Sequence, residues 1–208
     1  MTLGELKVIA LQKMQAAGDD HLSRSRDSEP YIDRMRAPVN EALLLIATAA
    51  RPILRRLCIE QAGREGEAAF RRHDLRALCE HFFNLAPGGV YREARGVTER
   101  TADYLLEPDG ALLLPNCAGQ WHLHCHTLPP EIGPDTPDSF ELPIDPDAAA
   151  LLPLYVASQL YKEDDLPAAV QLRNEFELGL QRLAAATPAG RGGLRFRSAR
   201  GWYRGVAR

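Results

Sequence analysis

The sequence lacks any apolar run that could cross a bilayer. Its longest such stretches, Ala42–Ala50 and Ala148–Ala157, fall well short of the roughly 18 residues required, and Pro153 interrupts the second. No export signal is expected either: the opening "MTLGELKVIALQKM" carries acids and bases at helical spacing where a signal peptide has an unbroken apolar core. The expectation is a protein without a membrane segment. The four cysteines, Cys58, Cys79, Cys117 and Cys125, form no CxxC pair and no dense framework. They are expected to be reduced thiols in a cytoplasmic product.

Catalytic signatures are missing as well. There is no G-x-S-x-G, no phosphate-binding loop, no G-x-G-x-x-G and no H-E-x-x-H. No internal repeat is visible. The expectation is a protein that is not an enzyme and carries no cofactor. With a formal net charge of -3, the chain as a whole is not built to coat a polyanion. Its charge is unevenly placed, however: Glu131–Asp147 holds acids and no base, whereas Arg191–Arg208 holds six arginines and no acid. Such asymmetry can mark an interaction tail.

What is present is an ordinary globular composition, 45% hydrophobic and 25% charged. Thr2 followed by Glu5 fits a capping box and opens a helix to about Ala17. Ser28 caps a second helix with Pro30 in its first turn. Its core stripe is Tyr31, Ile32, Met35, Val39, Leu43 and Ile46; Pro38 should bend it and Pro52 end it. After Pro52 the period changes. "ILRRLCIE" reads as a strand, "LRALCEHFF" as a short helix, and Gly89–Glu93, Ala102–Glu107, Ala111–Leu114 and Gln120–Thr127 as strands, with "EPDG" as a hairpin turn.

Helix returns at Asp145, a good cap, with Pro146 in the first turn. Leu151–Leu160 is apolar nearly all round and should be the most buried helix. A last helix, Leu166 to about Ala186, carries the stripe Ala169, Leu172, Phe176, Leu180 and Leu183. The fold class expected is α+β. Residues 1–52 and 144–187 form one discontinuous helical lobe, 53–143 an inserted antiparallel β lobe, and 188–208 a basic, flexible tail.

The stretch "GQWHLHCHT" packs three histidines and a cysteine into five positions. On a strand, His122, His124 and His126 share one face and Trp121, Leu123 and Cys125 the other. Alternate side chains lie roughly 6–7 Å apart, close enough to chelate zinc, but His122 and His126 are about 13 Å apart. A metal site, or a metal-dependent enzyme built on it, would need a further ligand such as Cys117, His81 or a carboxylate. The plainer account is a half-buried strand with imidazoles outward.

Asp145 and Asp147 form a D-x-D pair that helix capping explains. Glu163, Asp164 and Asp165 look like a solvated interhelix turn. His73, Cys79 and His81 lie close in sequence, without a partner placed to orient a nucleophile.

The tail "RGGLRFRSARGWYRGVAR" interleaves arginine with aromatics. Arg195, Arg197, Arg200, Trp202 and Tyr203 are the candidate partner-binding residues, because arginine and aromatics are enriched at interface hot spots. The same composition can hold single-stranded nucleic acid through phosphate contacts and stacking, so a nucleic-acid-binding module is the other reading of the tail.

The stretch "DSFELPIDPDAAALLPLYVASQLYKEDDLPAAVQLRNEFELGLQRL" (138–183) resembles the C-terminal helical pair of head–tail connector (adaptor) proteins of tailed phages and prophages. "LLPLYVASQLYKEDD" and "LRNEFE" carry most of the likeness. "TLGELK", "VNEALLLIATAARPI" and a "GQW" strand leading to "PP" and "TPDSFELP" add to it. The resemblance covers most of residues 2–183. It implies a structural virion protein that docks on the portal protein, oligomerises with neighbouring copies into a ring and lets DNA pass, with non-specific DNA contact. Such a protein resides in the cytoplasm during assembly and then in the virion. Within that resemblance "WHLHCH" is a sheet strand, departing from the usual aromatics at His124, Cys125 and His126.

Overall fold

The computed structural model describes residues 1–14, 28–63 and 68–186, and within them the fold is α+β. Helix α1 (Leu3–Lys13) starts on a complete capping box. Thr2 Oγ1 accepts from the Glu5 amide at 3.2 Å, and Glu5 Oε2 accepts from the Thr2 amide at 2.8 Å. The expected end near Ala17 lies outside the described residues.

The second predicted helix is two helices, α2 (Glu29–Arg34) and α3 (Arg36–Ala49). Pro38 breaks the run rather than bending it. Without an N–H it cannot bond the carbonyl of Arg34, so the ladder stops at Met35 and resumes from Val39 N to Met35 O at 3.0 Å. Ser28 holds the N-cap position but makes no side-chain capping bond. Ile32, Met35, Val39, Leu43 and Ile46 are all buried.

The β lobe follows, with β1 (Ile53–Gln61), β2 (Phe70–Asp74), α4 (Leu75–Leu78), β3 (Phe82–Ala94), β4 (Val97–Arg100), β5 (Leu105–Leu106), β6 (Ala111–Pro115) and β7 (Gly119–Thr127). Two antiparallel sheets form, one ordered β1-β7-β3-β4 and the other β2-β6-β5. Between them lies an apolar cluster of Ile59, Leu75, Val90, Leu112, Leu114, Trp121, Leu123 and Cys125. The EPDG hairpin joins β5 to β6, with Gly110 at a φ of 88 where a side chain would be strained.

Several strands differ from expectation. "LRALCEHFF" is helical only at Leu75–Leu78, where Asp74 Oδ1 caps the amides of Arg76 and Ala77. His81 then takes a φ of 58, turning the chain into β3. β2 and β4 appear where no strand is expected, and Ala102–Glu107 contracts to two residues.

The chain returns to helix as α5 (Pro146–Ala149), α6 (Leu152–Leu160) and α7 (Leu166–Ala186). The break between α5 and α6 comes from Pro153, in the first turn of α6, which cannot bond back to Ala149. Seven of the nine residues of α6 are buried, so it is the central helix, packed against α1, α3 and α7. A second apolar cluster unites Leu6, Leu11, Ile46, Val156, Leu160, Phe176 and Leu183, from both ends of the chain. Burial of side chains this size contributes about 1.5–3 kcal/mol each before entropy is set against it.

The segment leading out of the β lobe packs with the helices. Ile132 and Leu142 belong to the helical cluster, inside the range assigned to the β lobe from the sequence. The Asn40 side-chain amide bonds both backbone groups of Ile132, at 2.9 and 3.1 Å. The amides of Leu3 and Gly4 donate to Phe140 O and Asp138 O at 2.9 and 2.8 Å. Gly4 permits that approach, since a Cβ there would lie 3.2 Å from Asp138.

Candidate functional site

Strand β7 is central in its sheet, pairing with β1 and β3. Its facing alternation is the one expected, but His122 is buried at 8% exposure and only His124 and His126 of the three imidazoles are partly exposed. Trp121, Leu123 and Cys125 are 1%, 0% and 0% exposed on the inner face, and burial pushes the Cys125 thiol up to about 12. The three imidazoles lie on the other face, opposite Cys58, Arg56 and Leu54 of β1.

Each histidine has its own neighbours. His122 Nε2 lies 3.0 Å from Glu93 Oε2, while its buried Nδ1 has no partner. His124 packs on Tyr91 with ring centroids 5.3 Å apart. Partial burial, then the Arg56 and His122 charges, hold His124 below the ordinary imidazole value. Burial alone does the same to His126. Among the described residues no three His, Cys, Asp or Glu side chains gather as a metal site. Cys117 packs against the inner-face cluster, away from the imidazoles. His81 faces Glu80 at 3.5 Å.

The other candidates are absorbed by structure. Asp145 sits at the N-cap of α5 but makes no side-chain capping bond. Its carboxylate lies 3.4 Å from Arg51 Nε, and Asp147 also pairs with Arg51, so the D-x-D pair clamps the end of α3 to the start of α5. Glu163 pairs with Arg34 at 3.1 Å, and Asp164 accepts from the Tyr31 hydroxyl at 2.7 Å. That hydrogen bond, with burial behind it, pushes the Tyr31 hydroxyl up to about 12. Asp165 Oδ1 accepts from the Ala168 amide at 3.0 Å, closing the first turn of α7. The acidic run therefore fastens α2 to the α6–α7 turn.

His73, Cys79 and His81 do not assemble. His73 Nε2 lies 3.0 Å from Gln61 Oε1, whereas the Cys79 thiol turns to Glu80 O. Gln61 also donates to Pro115 O at 2.6 Å, so it ties the two sheets at one end. Sequence inspection missed this residue, because nothing local distinguishes a glutamine that closes a sandwich from one on a surface. It missed Arg92 too, whose guanidinium lies 5.6 Å from the centre of the Trp121 indole. The predicted partner-binding residues Arg195, Arg197, Arg200, Trp202 and Tyr203 lie outside the described residues.

No helix among the described residues is long and apolar enough to cross a membrane. Compared with known proteins, the chain matches no family model and has no significant match to a curated protein.

Proposed function

We propose that this protein is a structural, non-enzymatic head–tail connector of a tailed phage or prophage, which docks on the portal protein and forms a ring of copies around the DNA channel. The observation that carries this reading is the likeness of residues 138–183 to that group, taken with how those residues are deployed. They form the strap across α1 and the α5–α7 helices, the parts of the chain that unite its two ends.

Two features support it. The pairs of Arg51 with Asp145 and Asp147, Arg34 with Glu163, Tyr31 with Asp164 and His73 with Gln61 fasten elements together, as a virion part under mechanical stress would use them. On α7, Leu166, Val170 and Leu178 remain 60%, 50% and 53% exposed in the single copy. A ring joins one patch of each subunit to a different patch of the next, and an uncovered helix face suits such a heterologous contact.

The test is reconstitution with the portal protein encoded by the same genome, read by electron microscopy and sedimentation. Rings seated on the portal are expected. A chain that stays off the portal, or that carries stoichiometric zinc lost on replacing His122 and His124, would overturn the proposal in favour of the metal site.

A further inference from the structure

The second sheet leaves part of the first sheet's inner face uncovered. Val97 and Glu99 of β4 belong to that face, since they lie opposite Ala94 and Arg92 of β3, and both are exposed. A cavity of about 740 Å³ opens there, between the β3–β4 pair and Thr101, Asp103, Pro115 and Cys117. That is a usual size for a small-molecule site. Trp121 lines it from β7, beside Arg92, its partner in the β3–β7 register.

Trp121 is 1% exposed, and its indole Nε1–H is buried with no acceptor among the described residues. The Nε–H of Arg92 is in the same condition. A buried donor left unpaired costs free energy until something accepts from it. The Arg92 guanidinium lies 5.6 Å from the centre of the indole, and its Nη2 donates to Ala118 O at 2.9 Å. The charged side chains around the cavity are Arg92, Arg95 and Arg100 against Glu99 and Asp103, one positive charge in excess. That balance suits a singly charged anion better than a phosphate dianion. Ala94, Val97 and Pro115 make the rest of the wall apolar, which suits an apolar body on the anion.

We propose that this cavity binds a small organic acid, one carboxylate on a compact apolar body. The carboxylate accepts from Trp121 Nε1–H and pairs with the Arg92 guanidinium, which leaves Ala118 O and turns toward it. Arg92 thereby exchanges a neutral acceptor for a charged one, and the indole gains the acceptor it lacks. The apolar body rests against Val97 and Pro115. Cys117 lines the same cavity, and its half-buried thiol reports occupancy. This site does not rest on the connector reading.

The experiment titrates the full chain with benzoate, with its neutral amide benzamide and with inorganic phosphate. It follows the Trp121 side-chain N–H resonance, told apart from that of Trp202 by a Trp202→Phe spectrum, and the alkylation of Cys117 by iodoacetamide. A fragment this small reaches a fitting site at about 10 mM or below. Benzoate is expected to shift the Trp121 resonance and to slow alkylation of Cys117 but not of the exposed Cys58. Benzamide, which carries no charge for Arg92, should bind about 10-fold more weakly. Arg92→Gln should weaken benzoate by a similar factor. So should Trp121→Phe, which keeps an aromatic ring and removes the donor; Arg92→Gln carries the test if that core variant fails to fold. The proposal is overturned if benzoate leaves both Trp121 and Cys117 unaffected at that concentration, or binds no better than benzamide, or ignores Arg92→Gln. Phosphate matching benzoate in shift and affinity would also overturn it, by reducing the site to a cluster of arginine charge.

Discussion

The hydroxyl of Tyr161, which ends α6, donates to the backbone carbonyl of Met14, which ends α1, at 2.6 Å. These residues are 147 positions apart in the chain, so the bond closes the helical lobe across the inserted β lobe. Tyr161→Phe keeps the ring and leaves the Met14 carbonyl without this donor. It should cost about 1 kcal/mol, the net worth of one such hydrogen bond. Urea unfolding should show a lower midpoint with an unchanged slope.

Leu160→Asp and His124→Ala should separate core from face. Leu160 is 3% exposed within the helical cluster, and an unpaired carboxylate there costs several kcal/mol. That variant should fail to fold. His124 loses only its packing on Tyr91, and a change below about 1 kcal/mol is expected from one half-buried ring contact. Thermal unfolding of both is the check, and a larger loss for His124→Ala would reopen the metal reading.

The same contrast explains what the sequence could show. Strand β7 was legible because Trp121, Leu123 and Cys125 alternate with polar residues, which is how one buried face writes itself into a chain. The stripe of α7 was legible for the equivalent reason at helical period. β4, "VTER", was not: all four residues are exposed, so an edge strand leaves no apolar pattern. β2, "FRRHD", has no fully buried residue and hides in the same way. Pro38 reads in the sequence as a bend and Pro153 only as a gap in an apolar run, yet each divides a helix. The clamp of Asn40 on Ile132 joins positions 92 apart, and no local signal predicts it.

The thiols should report the β-lobe packing. Cys58 is exposed on β1, Cys117 is half-buried, and Cys79 and Cys125 are buried. Reaction requires the thiolate, and burial pushes the Cys125 thiol up to about 12. Labelling at pH 8 followed by mass spectrometry should therefore modify Cys58 first and Cys117 more slowly. Cys79 and Cys125 should react only on unfolding.

Stability should fall on mild acidification. His73, His124 and His126 are all held below the ordinary value of 6.5, in each case chiefly by burial. The folded state thus binds fewer protons than the unfolded state just below that value. Their contribution is fully retained above 6.5 and is lost as pH falls toward the folded values. The melting temperature should drop between pH 7.5 and 5.5. Combining His124→Asn with His126→Asn should flatten that slope, and an unchanged slope would show that other groups govern it.

The last prediction concerns the basic tail. Truncation after Gly190 should leave the melting temperature nearly unchanged, because the helical core already closes within the described residues, ending on Leu183 at 7% exposure. On the proposed connector reading, assembly onto the portal should nevertheless suffer. Six arginines interleaved with Phe196, Trp202 and Tyr203 need carboxylates to pair with and a surface on which the rings can anchor. The strap offers such carboxylates: Glu131 and Asp135 are exposed, whereas Asp138 is engaged by Lys7 at 2.6 Å. If the tail of one copy docks on the strap of the next, Glu131→Lys with Asp135→Lys should impair assembly much as truncation does. Restoring opposite charge, by Arg197→Glu and Arg200→Glu in the same chain, should recover part of it. Truncation that unfolds the isolated chain would instead make the tail part of the core. Truncation that spares assembly but abolishes a salt-dependent affinity for DNA would assign those arginines to phosphate contacts.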